Sequence, residues 1–284
     1  MFRISALFLI ISLVACSPAE RPIEEATQMV AESDSNNPPE LARYNEYLWC
    51  KQGGNFSQES LSASTKAWLE ATDNAGIANF GVYNLAPKFS DPNFDRIMLI
   101  TWPDKETRDS GWETYLAQNI QASLDEQFPD VEQCGGDNWE NVYGFAAYKT
   151  RDASVAWDRE NTEAMVSYRF CSYQENKEPE DLRQLVQGEF EAWLTKYEET
   201  YGASSYDFAY LAPDFDDEAV ERNEGVPLAF DYAWMDFWGN AAEAETGYSA
   251  WAETGFQTEF DAVALCSEPQ AYDLTEIRPM QPEA

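Results

Sequence analysis

The chain carries the same landmarks twice, in the same order. Tyr47-Leu48-Trp49-Cys50 returns as Tyr168-Arg169-Phe170-Cys171, and Ala67-Trp68-Leu69 as Ala192-Trp193-Leu194. Leu85-Ala86-Pro87-Lys88-Phe89 returns as Leu211-Ala212-Pro213-Asp214-Phe215, and Trp102-Pro103-Asp104 as Trp234-Met235-Asp236. Gly111-Trp112 with Tyr115 matches Gly247-Tyr248 with Trp251, and Cys134 matches Cys266. Six matches in register, with spacings that differ only where loops would fall, read as a duplication. A duplicated chain must build one small unit twice and bury whatever face each unit cannot cover alone. We place the units at 42–152 and 163–284.

Each unit shows the same run of periodicities. Tyr44–Cys50 and Met165–Tyr173 are aromatic-rich strands. Ser57 is placed to cap a helix through Leu61, Trp68 and Leu69, and Pro179 to open its equivalent through Leu182, Leu185, Phe190 and Trp193. Strands follow at Asn79–Leu85 and Tyr206–Leu211, each stopped by Ala-Pro, then at Arg96–Trp102 and Leu228–Trp234. A second helix is expected near Glu106–Asp125 and Ala241–Phe256, and a last strand at Val142–Lys149 and Ala271–Arg278.

The order β-α-β-β-α-β resembles the split-βαβ, ferredoxin-like unit. That resemblance implies the spatial strand order 4-1-3-2, with strand 1 antiparallel to strand 4. It therefore implies disulfides Cys50–Cys134 and Cys171–Cys266, one per repeat. Helices cover one sheet face only, so two fused units would bury their open faces together. Over about 42–280 the chain thus resembles the dimeric α/β-barrel superfamily in fused two-repeat form: an α+β fold of two tandem repeats packed sheet to sheet as a pseudo-dimeric barrel. The superfamily includes small monooxygenases, muconolactone isomerases, stress proteins, chlorite dismutases and dye-decolorising peroxidases. The last two hold haem through a histidine, and this chain has 0 His, so they are set aside. No functional residue of the others maps onto the chain, and no cofactor is expected.

Charge narrows the function classes. With 18 Lys+Arg against 52 Asp+Glu the formal charge is −34, so a nucleic-acid partner is excluded by repulsion from phosphate. Without histidine there is no Ser-His-Asp or Cys-His machinery and no His-bound zinc. The 10 Trp, 15 Tyr and 16 Phe are nevertheless enough to fill real cores.

The N-terminus reads as export. Arg3 precedes the apolar run Ala6 to Val14, too short to span a bilayer, and the run ends in Leu13-Val14-Ala15-Cys16. This resembles the lipobox of bacterial lipoproteins. It implies cleavage after residue 15, lipidation of Cys16 and a membrane lipid anchor. Ser17 after the cysteine implies the outer membrane of a Gram-negative envelope. The polar, acidic stretch 16–41 reads as a flexible tether, and the remaining even number of cysteines suits an oxidising compartment.

Candidate site residues come from comparing the repeats. Arg169 stands where the first repeat has Leu48, and Asp231 where it has Leu99. Two charges in neighbouring central strands are expected to pair, either as a structural ion pair or as a polar anchor for a small ligand in a cavity between the repeats; otherwise they are two unrelated residues at a solvated patch. Trp102 and Trp234, each two residues before an Asp, either pack and cap the following helix or face a ligand. The acidic run Asp214 to Glu218 lacks calcium-loop spacing, and no metal site is expected. The expected function is a lipid-anchored envelope protein binding a small ligand or a protein partner through aromatic surfaces. The alternative is a cofactor-free monooxygenase- or isomerase-like enzyme with a cavity between the repeats: a closed aromatic pocket enclosing Asp231 and Arg169 would favour it, and a flat, filled interface would leave a structural role.

Overall fold

The computed structural model describes residues 40–135, 143–159, 164–214 and 230–280. The leader, Cys16 and the acidic run beyond Asp214 lie outside them. In the first half the elements run β1 (Glu40–Gln52), α1 (Gln58–Asn74), β2 (Gly81–Pro87), β3 (Arg96–Trp102), α2 (Lys105–Ala117), α3 (Ile120–Gln127), β4 (Glu132–Cys134) and β5 (Tyr143–Lys149). In the second they run β6 (Met165–Tyr173), α4 (Pro179–Leu185), a π turn (Val186–Phe190), α5 (Glu191–Tyr201), β7 (Asp207–Pro213), β8 (Tyr232–Trp238), α6 (Ala241–Ala252), α7 (Gln257–Asp261), β9 (Ala264–Cys266) and β10 (Gln270–Arg278).

Local chemistry sets the helix starts. Ser57 and Ser60 form a reciprocal capping box at α1, and Pro179 sits in the first turn of α4, where its missing N–H costs nothing. Asp104 and Asn240 cap α2 and α6 by accepting from Thr107 N–H and Glu243 N–H. The long second helix expected in the first half is broken at Asn119, whose φ of 51° is left-handed.

All strand pairs are antiparallel. The first half orders as β5-β1-β3-β2 and the second as β10-β6-β8-β7. Then β5 pairs with β7 and β10 with β2, so the two sheets join edge to edge as well as facing each other. Eight strands close into a ring, and closure removes the open edges that each four-stranded sheet would present. The short β4 and β9 extend β1 and β6, and place Cys50 opposite Cys134 and Cys171 opposite Cys266. Both pairs are disulfide-bonded.

Alternation divides the side chains into two sets. One set points to the barrel axis, where Tyr47, Phe145, Val166, Tyr168, Leu211 and Leu274 belong to a single buried cluster. The other set faces the helices and makes two further clusters, one per half.

One register expectation is corrected. Strand β8 runs Tyr232–Trp238, not Leu228–Trp234. Cys50 pairs with Arg96 and Cys171 with Tyr232, so the counterpart of Trp102 is Trp238, not Trp234. A slip of four residues keeps every side chain on its own face, so alternation could not distinguish the two alignments. The helix behind each tryptophan does: a Cβ on Gly111 would lie 2.8 Å from the Trp102 ring, and a Cβ on Gly247 would overlap the Trp238 ring.

Candidate functional site

The corrected register exposes a shared arrangement. Glu46 faces Ile100 across β1 and β3, and at the same place in the second half Ser167 faces Asp236 across β6 and β8. Each half therefore buries one carboxylate between sheet and helices, contributed by opposite members of the pair.

In the first half this carboxylate is fully engaged. Glu46 is 0% exposed and accepts from Trp102 Nε1 and Trp112 Nε1, both at 2.8 Å, and from Arg108 Nε at 2.5 Å. Burial pushes its pKa up, against the pull of Arg108 and the two indoles. Trp102 spends its N–H on Glu46 and its ring on the α2 glycine, so it is a packing residue and not a ligand-facing one.

The second half is looser. Asp236 accepts from Tyr206 Oη at 2.6 Å, from Trp234 Nε1 at 2.7 Å and from Ser167 Oγ at 3.3 Å, while Tyr248 meets Ser167 at 2.8 Å. Burial raises its pKa, opposed by these hydrogen bonds and by the charge of Arg169. Asp236, Arg169, Trp234, Trp238 and Trp251 line a cavity of about 70 Å³ between sheet and helices.

Two expected placements change here. Arg169 lines the same cavity as Asp236, whose pKa its charge lowers, and lies on the helix face rather than between the halves. Asp231 precedes β8 instead of standing in mid-strand, and its Oδ2 accepts from Tyr173 N–H at 2.8 Å. Asp95 does the same for Gln52 N–H in the first half, so Asp95, not Leu99, is the counterpart of Asp231. Both secure the end of strand 1. Trp234 does reach a cavity, but as a donor to Asp236 in its wall.

The space between the halves holds what the sequence did not single out. At one end the barrel interior is filled by aromatic rings: Trp49 packs on Phe94 and Tyr143, and Phe170 on Phe230. At the other end a cavity of about 200 Å³ receives residues from all eight ring strands and from the connection after β5. Its polar lining is Arg43, Asn45, Thr101, Lys149, Asp207 and Arg159. Asn45 and Thr101 face each other across β1 and β3 and are 1% and 2% exposed. Asn45 Oδ1, Thr101 Oγ1, Asp207 Oδ1, Trp157 Nε1 and Tyr168 Oη are all buried without a hydrogen-bond partner. Asp207 Oδ2 takes Lys149 Nζ at 2.7 Å, and the Asn45 amide donates to Tyr47 Oη at 3.4 Å. Trp157 lies against Phe237 and under Arg159. Buried polar groups are ordinarily paired. Five unpaired polar atoms belong to residues that line this one cavity. The inward positions that carry them could be read from the alternation of β1, β3, β6 and β7, but not that four strands converge on one end.

No family model and no curated protein matches the chain. Solved structures do. A provisionally assigned chlorite dismutase is 8% identical, with 82% of this chain and 95% of that chain covered and a TM-score of 0.48. A provisionally assigned monooxygenase from Fusobacterium nucleatum subsp. nucleatum is 10% identical over 84% and 94%, with a TM-score of 0.44. A haem-binding protein from Thermus thermophilus is 9% identical over 85% and 95%, with a TM-score of 0.45.

The two halves offer a haem neither a histidine nor a free thiolate. The chain has 0 His, and the cysteines of both halves are joined in disulfides.

Proposed function

We propose that the protein is a small-molecule barrel of the cofactor-free enzyme type, taking a compact polar molecule into the cavity between its two halves. The observation that carries this reading is the set of five partnerless buried polar atoms on residues lining that cavity. The chain's own groups supply the chemistry there. Asp207 and Lys149 form a carboxylate–ammonium pair beside the open space, and Thr101 and Asn45 orient what enters. Binding through aromatic surfaces loses support: among the described residues Tyr201 is the one strongly exposed aromatic, and the other rings are wholly or partly buried in cores. We keep the lipid-anchored envelope location as a proposal, supported by the lipobox at Cys16 and by the two disulfides. No helix among the described residues is long and apolar enough to cross a membrane.

The reading is tested with Thr101→Val. Replacing a buried, unpaired hydroxyl by a methyl of the same shape should raise the stability of the ligand-free protein by about 1 kcal/mol. It should also weaken the saturable quenching of tryptophan fluorescence that a small-polyol and small-acid panel produces in the unmodified chain. Stabilisation with unchanged ligand response, or no response from any compound, would remove the cavity as the site.

A further inference from the structure

Charge within the barrel cavity runs against charge in the rest of the chain. The protein has 52 acids to 18 bases, yet the cavity lining holds three cations, Arg43, Lys149 and Arg159, and a single acid, Asp207. Lys149 is paired with Asp207, and Arg159 is paired with Glu276, which stands opposite the lining residue Tyr83 at the mouth of the cavity. Arg43 is half-buried and has no ion pair among the described residues. A half-buried guanidinium without a counter-ion is costly to hold, and its planar fork suits a carboxylate bidentately.

The orphaned atoms specify the rest of the ligand. Asn45 has committed its amide N–H to Tyr47, and Asp207 one oxygen to Lys149, so Asn45 Oδ1 and Asp207 Oδ1 can only accept. They need donors from the ligand, and hydroxyl groups supply them. Trp157 Nε1 can only donate and needs an acceptor. A cavity of about 200 Å³ limits the molecule to a compact one.

We propose that the barrel cavity binds a small hydroxy acid, with its carboxylate on Arg43 and its hydroxyls on Asn45 and Asp207. This rests on the small-molecule reading above and gives the ligand its charge and its donors. The two can fail separately. Titration calorimetry of the full chain at pH 7 with glycerate and gluconate is compared with the neutral polyols glycerol and glucose and with the hydroxyl-free acid propionate. The acids with hydroxyls should bind at least tenfold more tightly than either control class. Arg43→Gln should cost at least tenfold for the acids, and Arg43→Lys should recover part of it, since the charge remains but the fork is lost. If Arg43→Gln does not fold, Arg43→Lys alone must still show the loss. Equal binding of glycerol or glucose, unaffected by Arg43→Gln, would overturn the hydroxy-acid inference and leave the cavity reading standing. Loss of binding in Arg169→Gln but not in Arg43→Gln would move the site to the second-half cavity and overturn the inference. No binding by any probe would overturn both.

Discussion

Asp236 and Glu46 are acids set in aromatic surroundings, and their titration should be visible in stability. An unfolded Asp titrates near 3.9, and burial raises the folded value of Asp236. The folded state therefore holds this proton to higher pH than the unfolded state. The stability it contributes is complete below about pH 4 and is lost as the pH rises through the raised folded value. Asp236→Asn removes the titration. The wild-type minus variant difference in unfolding free energy should fall with rising pH above about 4, by at most about 1.4 kcal/mol per pH unit. A difference that stays flat would mean that Tyr206, Trp234 and Arg169 fully offset the burial. Gly247 sets a second residue-scale test. A methyl there would enter the Trp238 ring, so Gly247→Ala should destabilise by about 1–3 kcal/mol in urea unfolding, as overpacking does. The paired glycine and tryptophan are in the sequence of both halves. Which tryptophan each glycine meets is a tertiary fact.

At the scale of elements, caps and breakers acted where their chemistry is local. Ser57 accepts from Ser60 N–H at 3.0 Å, and Ser57 N–H donates to Ser60 Oγ at 2.8 Å. Ser57→Ala should lower stability by about 1 kcal/mol, read as a shift of the urea midpoint with an unchanged slope. An unchanged midpoint would mean that packing of α1 alone holds its first turn. Strands β3 and β6 were legible to the residue because their apolar alternation ends at Trp102 and begins at Met165. Strand β8 was not. Trp234 and Trp238 lie on one face four residues apart, and both satisfy the same pattern. Placing Asp231 in mid-strand and pairing it with Arg169 followed from that slip. The slip also hid Asp236, which has Ile100 as its counterpart and is the acid whose pKa the charge of Arg169 lowers.

Across the whole molecule, the two sheets complete each other. Helices shield the outer face of each, and the pairing of β5 with β7 and of β10 with β2 shields the edges. The N-terminal sequence adds a prediction at this scale. If Cys16 carries the lipid anchor, Cys16→Ser should move the protein from the detergent phase to the aqueous phase in phase partitioning, with its disulfides intact. Detergent partitioning of Cys16→Ser equal to that of the unmodified chain would remove the lipoprotein proposal. By itself the sequence determined the element order of each half, the helix starts at Ser57 and Pro179, and the exclusion of histidine chemistry, because caps, alternation and composition act within a few residues. The cysteine pairing needed the strand order that the resemblance implied. Only the tertiary structure decided which carboxylates are buried, that Arg169 and Asp236 line one cavity, and that Arg43, Asn45, Thr101 and Asp207 share another. Those facts depend on strand register and on which ends of eight strands converge, and register is set by packing between residues far apart in the chain.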